Sequence, residues 1–257
     1  MIKPGELIDV VEITPLTLAD RRIYNRLIDH AWDRIEEDVI HVIPKRELRG
    51  SHNVNDRVSE SIIRLMGAVV QIRAERDGKP ATLRVALLGS NVEHDRADGL
   101  LYYRFPDELR ATIKESRVFA RLRRDVMYAL TSKYALSLYE MVQKRGNLDR
   151  QWSEEFTITE FRGLLGVPKG KLKRFADLYR RAIEPAVAEV NGLSDYCVKI
   201  RPVKRGRKFV ALELLWWRKS RDELRDAWTE LQRCKVGRKT RLQEGADGHT
   251  AAVNTAA

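Results

Sequence analysis

Six cations crowd between residues 169 and 181: Lys169, Lys171, Lys173, Arg174, Arg180 and Arg181, with Asp177 the single carboxylate among them. A second group, Lys204, Arg205, Arg207 and Lys208, surrounds Gly206, and Lys199 and Arg201 come just before it. Cations this dense suit a polyanion, because each phosphate that gains a Lys or Arg releases condensed counterions. Arginine adds readout, since its fork reaches both O6 and N7 of guanine. Plain solvated surface would mix signs more evenly along the chain. Here the imbalance is confined. Residues 121–220 hold 22 Lys and Arg against 11 Asp and Glu, residues 1–120 hold 19 against 20, and residues 221–257 hold 7 against 6, within a net charge of +11.

Other chemistries find little support. Gly166-Val167-Pro168-Lys169-Gly170-Lys171-Leu172 has the look of a phosphate loop. It is one residue short between its glycines, carries Leu172 where a magnesium-holding Ser or Thr belongs, and loses a backbone donor at Pro168. The histidines His30, His41, His52, His94 and His249 do not pair at metal-ligand spacing. Cys197 and Cys234 are too few and too far apart for a zinc site or a disulfide framework. No catalytic residue, metal or cofactor is therefore expected. Tyr102 and Tyr103 lie in an apolar run that suits a core strand better than a nucleophile. Trp216 and Trp217, adjacent at a strand end, predict one core and one surface indole. No apolar run approaches the roughly 18–20 residues that cross a bilayer, and the start lacks the layout of a secretory signal. We expect no membrane partner and a cytoplasmic location.

These cations must be held by an ordered frame. In the second half, residues 130–143 predict an amphipathic helix on Ala135, Leu138, Tyr139 and Val142, followed by a polar loop to Glu155. Thr157 with Glu160 caps a short helix over 158–165, and Gly166-Val167-Pro168 makes a turn. A long helix is expected from Lys169 to about Val190, with Leu172, Phe175 and Tyr179 inward and Lys171 and Arg174 sharing the outward face. Pro185 should kink it. Residues 196–202 and 208–215 predict a hairpin with Gly206 at its tip. Short helix, long helix and basic hairpin are the order of a winged helix, whose second helix enters the major groove.

The first half repeats that order more loosely. A helix over 17–37 begins at a Thr17/Asp20 cap, a short strand spans 39–43, and a helical turn spans 45–50. A long helix is expected from Asn55 to about Arg76, with Val58, Ile62, Leu65, Met66, Val69 and Ile72 inward. Strands over 82–89 and 100–106, separated by a polar loop, would form its wing, and a helix over 107–116 closes the unit. Arg46, Arg49, His52, Asn53, Asn55, Arg57 and Arg64 lie near its turn and long helix, interspersed with acids. Arg57 and Arg64 are candidate DNA contacts, and a near-neutral surface suits protein contacts equally well. The fold class predicted is α+β, two tandem winged-helix domains over 1–124 and 125–220. A last helix from about 220 to 236 and a disordered tail from about Val236 complete residues 221–257.

Several stretches carry a family resemblance: LTSKYALSLYEMV (130–142), FTITEFRGLLGV (156–167), FADLYRRAIEPAVAEVNGLSD (175–195) and GRKFVALEL (206–214), with looser LTLADRRIYNRLI (16–28) and LLYYRFPDEL (100–109). In these the chain resembles the iteron-binding plasmid replication initiators of the Rep 3 type, over roughly residues 10–220. The resemblance implies a bacterial protein associated with plasmid or nucleoid. It would bind direct repeats in double-stranded origin DNA, promote opening of adjacent DNA, recruit the host replicative helicase and host initiator, and repress its own gene as a dimer. The second winged helix would make the main base contacts. The first would contact the other end of the site and form a homodimer in equilibrium with monomer. The alternative is a winged-helix transcriptional regulator with no replication role, which would favour inverted half-sites. A nicking enzyme is the third reading, and the missing histidine pair speaks against it.

Overall fold

A computed structural model describes residues 1–49, 56–94, 99–148 and 151–243, except the side chains of Asp56, Arg57 and Arg76. The chain folds as two units, Met1–Arg121 and Leu122–Ala257. None of the described helices is long and apolar enough to cross a membrane.

The first unit opens with β1 (Ile2–Pro4) and β2 (Val11–Glu12), followed by α1 (Leu18–Ala31). Thr17 and Asp20 form the reciprocal N-terminal cap of α1 that their spacing predicts. Strand β3 (His41–Pro44) leads through a 3-10 turn at Lys45–Leu48 to α2 (Asp56–Gly67). Then come β4 (Val69–Arg76), β5 (Lys79–Ala86), β6 (Asn91–Glu93), β7 (Leu100–Tyr103), α3 (Asp107–Lys114) and β8 (Phe119–Arg121). The strands pair as β2-β4-β5, β3-β7-β6 and β1-β8. Leu27, Ile28, Ile43, Ile62, Leu65, Leu101 and Leu109 fill the core between helices and sheets.

Two expectations fail here for one reason. The helix expected to run to Arg76 stops at Gly67, and Val69–Arg76 is a strand paired with β5 from Val69↔Ala86 to Arg76↔Lys79. Asp77 and Gly78 both have positive φ, 52° and 70°, the pattern of a type I′ turn whose twist matches a hairpin. Val69, Val70 and Ile72 suit a strand better than a helix, with Val70 and Ile72 inward and Arg73 outward. The wing of this unit is therefore β4–β5. The expected partnership of 82–89 with 100–106 does not form, because β7 lies between β3 and β6 instead. Met66, expected inward, is 37% exposed.

The second unit contains α4 (Arg124–Ala129), α5 (Lys133–Arg145), β9 (Ser153–Thr157), α6 (Ile158–Leu164), α7 (Phe175–Leu178), α8 (Glu184–Leu193), β10 (Tyr196–Arg205), β11 (Lys208–Arg218) and α9 (Arg221–Gln232). The three strands pair in the order β10-β11-β9. Residues 153–155, expected as loop, belong to β9 and pair with Leu215, Leu214 and Glu213. Trp216 is buried and Trp217 is 37% exposed, as strand alternation predicts. The tail expected to be disordered from Val236 is helical over 238–243, the last described residues.

Candidate nucleic-acid interface

The long helix of the second unit does not begin at Lys169. Gly170 and Leu172 have positive φ, 82° and 48°, which no helix accommodates. Residues 168–174 instead form a folded loop: the Lys171 N–H donates to the Pro168 carbonyl at 3.0 Å. The guanidinium of Arg162, on α6, donates to the carbonyls of Lys171 and Leu172, the latter at 2.5 Å. A leucine in the left-handed region is held there by a charge-assisted grip on its own carbonyl. Arg162 was not singled out in the sequence; an arginine aimed back at a turn ten residues on leaves no local pattern.

Phe175 opens the helix, with Arg174 as its cap residue. From Tyr179 to Ile183 the helix widens to π geometry, and the Glu184 N–H reaches back five residues to the Tyr179 carbonyl. Pro185 explains the widening: it has no N–H for the Arg181 carbonyl and crowds that turn. Where a kink was expected at Pro185, the helix carries a π segment ahead of it and continues to Leu193. Residues 175–193 thus form one continuous helical path, the counterpart of the expected reading helix.

Lys169, Lys171, Lys173 and Arg174 lie on or at the end of this loop, clear of the core. Their expected i, i+3 arrangement on a helix face is replaced by a loop that presents them just ahead of the helix. Among the described residues none of the four has a carboxylate in ion-pair reach, whereas Arg180 and Arg181 share Asp177 at 3.7 and 4.0 Å. Pairs so exposed contribute little and yield readily to a better anion. Ala176, exposed between Arg174 and Arg180, is a surface position the sequence did not mark.

The basic hairpin forms as expected. Gly206 has φ 60° and Arg207 follows without a positive φ, the pattern of a type II′ turn that needs glycine first. Lys204, Arg205, Arg207 and Lys208 are exposed around it. The register slips between Val203 and Lys204, so that Val203 pairs with Ala211 but Lys204 with Phe209. This bulge re-aims Phe209. Its ring stacks on Phe175 with centroids 4.2 Å apart, and the Lys204 ammonium sits 4.7 Å from its centroid. Wing tip and loop end are thereby fastened together into one cationic surface.

The remaining candidates are placed differently. Lys199 and Arg201 alternate with the buried Val198 and Ile200, so they face away from the core; Arg201 meets Glu213 at 3.8 Å. Arg64 turns to Asp20, donating from Nε and Nη2 at 2.9–3.1 Å to a carboxylate that is fully buried. That contact anchors its guanidinium within the first unit, while the side chain stays 39% exposed. Burial by itself would raise the Asp20 carboxyl, but the bonds from Arg64, Thr17 and Ser61 together hold it below the usual carboxylate range. Arg57, His52, Asn53 and Asn55 lie outside the described residues or side chains. Not every cation of the basic segment is surface either: Arg145 is buried against Glu154 at 2.6 Å. Burial pushes the Cys197 thiol up to about 11, far from a reactive thiolate.

Known proteins place these units. The family described as "Initiator Replication protein, WH1" matches residues 2–143, and "Initiator Rep protein, WH2" matches residues 157–216. A crystal structure of the Pi initiator protein in complex with iteron DNA is similar at a TM-score of 0.56 and 15% identity, covering 86% of this chain and 98% of that one. A crystal structure of domains 2 and 3 of RctB gives a TM-score of 0.47 at 9% identity, covering 78% of this chain and 81% of that one. No curated protein matches in sequence. At such identities the structural likeness speaks of fold, and the family matches speak of kinship.

Proposed function

Because the chain belongs to the initiator Rep protein family, we propose that it initiates plasmid replication by binding double-stranded DNA at direct repeats. The observation that carries this is the cationic surface of the second unit, in which loop 168–174 and the tip around Gly206 are joined by the Phe175–Phe209 stack. The Pi initiator, of similar fold, is seen on iteron DNA. In this reading the start of the reading helix enters the major groove, with Arg174 and Lys171 nearest the bases, and the wing grips the backbone. Exposed Ala176 leaves room for the groove floor beside Arg180. Lys199 and Arg201 serve the outer edge of the site at most.

The protein then works by binding rather than by catalysis, in the bacterial cytoplasm where its plasmid lies. Opening of the neighbouring duplex and recruitment of the host helicase and host initiator follow from that placement. The first unit supplies the homodimer contact, in equilibrium with monomer, and secondary DNA contacts through its β4–β5 wing. Arg73 stands exposed on that wing.

The test is a binding titration of the full chain on duplexes bearing direct repeats from beside its gene, against the same half-sites inverted. Preference for direct repeats supports an initiator, and preference for inverted sites supports a regulator. Lys171→Ala with Arg174→Ala should abolish repeat-specific binding while the fold is retained. Unchanged binding would show that the loop is not the reader.

A further inference from the structure

The last carbonyls of any α-helix lack partners within it. For the reading helix, the structure supplies them from outside. The Lys219 ammonium donates to the carbonyls of Asn191 and Ser194, the latter at 2.7 Å, and the residue is 8% exposed. A cation there also meets the negative end of the helix dipole. The Asn191 side chain accepts from the Val198 N–H at 2.7 Å and donates to the Val198 carbonyl at 3.0 Å. Helix end, strand β10 and Lys219 thus form one junction.

A second contact reaches the same turn. At Gly192 an added Cβ would lie 2.1 Å from Leu242 Cδ2, so glycine is what lets Leu242 seat against the helix. Leu242 is brought there by α9 and the helical residues 238–243. Glu230 on α9 accepts from Arg241 at 2.6 Å and from Arg238 at 3.3 Å. Arg238 also donates to the carbonyls of Glu230, Leu231 and Arg233, closing the end of α9. The supporting side of these contacts, Lys219 and residues 230–242, lies beyond residue 216, where the match to the family's second domain ends.

The reading helix needs such support. Its middle, Tyr179–Ile183, is π-helical, and a widened turn is a natural place for the front of a helix to change direction relative to its rear. We infer that residues 219–243 form a lock on the rear of the reading helix, with Lys219 and Leu242 as positioning residues for sequence-specific DNA recognition. This rests on the DNA-binding reading above. Base-edge contacts demand placement to within about half an ångström, whereas phosphate contacts on a mobile cationic surface do not. Loosening the lock therefore costs specificity before it costs general affinity.

The test uses the full-length protein with Lys219→Met, Leu242→Ala, Gly192→Ala and the Gly192→Ala/Leu242→Ala pair. The probes are a duplex enriched by the parent protein from a random-sequence library and a random duplex of equal length. Each variant should lose about tenfold on the enriched duplex and less than about twofold on the random one, with the salt slope unchanged. The pair should bind no worse than Leu242→Ala alone, because both changes act on one contact. Variants that melt earlier yet keep the parental ratio between the two probes, measured well below their melting points, would reduce the segment to a stabiliser and overturn the inference. So would equal losses on both probes, or additive losses in the pair. If the parent protein enriches no duplex at all, the DNA-binding reading falls and the lock falls with it, an outcome visible before any variant is made.

Discussion

Phe175, the first residue of the reading helix, and Phe209, the second residue of the wing's return strand, stack with ring centroids 4.2 Å apart and planes 23° from parallel. This stack ties the start of the helix, just after Arg174, to the basic wing. Phe209 is still 37% exposed, so its value lies in geometry more than in burial. Phe209→Ala should weaken binding to the preferred duplex by about tenfold, since such aromatic pairs contribute about 0.5–1.5 kcal/mol and also hold the angle between the two elements. Binding to random duplex should barely change. A competition titration of the two duplexes checks this, and parallel losses on both would show that the stack merely stabilises the fold.

The wing makes a different prediction. Replacing Lys204, Arg205, Arg207 and Lys208 by Ala removes cations that have no carboxylate in ion-pair reach among the described residues. Binding to every sequence should weaken, and the slope of log affinity against log salt should flatten by about 0.9 for each phosphate that the wing no longer neutralises. An unchanged slope would mean that the tip stays clear of the backbone.

Arg64 and Asp20 predict a stability effect without a binding effect. Asp20 caps α1 and is fully buried, with Arg64 bonded to its carboxylate and to Ser61 beside it. Arg64→Ala leaves a buried carboxylate without its charged donor, at a cost of about 2 kcal/mol. Because the folded pKa of Asp20 lies below its unfolded value, its contribution is present above about pH 3.9 and is lost as pH falls through the folded value. Denaturant titration at neutral pH reads the loss. Reduced DNA affinity in a variant of parental stability would instead make Arg64 a DNA contact.

Two histidines around Tyr103 predict acid sensitivity at milder pH. His41 is 7% exposed beside the Tyr103 ring, and His30 Nδ1 lies 3.0 Å from the Tyr103 hydroxyl. Burial holds both imidazoles below their ordinary range. The unfolded chain therefore binds protons first as pH falls. Stability from these groups is full above about pH 6.5 and is lost between there and the lower folded values. His41→Phe should remove part of that loss, which melting curves at about pH 8 and pH 5.5 would reveal. Identical pH dependence in parent and variant would count against His41.

By itself the sequence determined the kind of partner and where the excess positive charge lies. Charge confined to one segment, a Gly206 tip ringed by cations and the spacing of core residues in 130–143 and 158–165 are local properties, so they could be read without coordinates. The Asp77-Gly78 turn was equally local, and its weight as a hairpin signal exceeds that of the helical spacing that runs through Val69 and Ile72. What only the tertiary structure decided depends on contacts between residues distant in sequence. Arg162 gripping the Leu172 carbonyl turns the expected first turn of a helix into a loop. Phe175 meeting Phe209 joins loop to wing, and Lys219 with Leu242 closes the far end of the same helix. Periodicity reports which face of an element is apolar; it carries no information about which remote donor will hold a carbonyl. The basic stretch from Lys169 to Arg181 was therefore visible in the chain, but its division into a presented loop and a π-widened helix belongs to the fold.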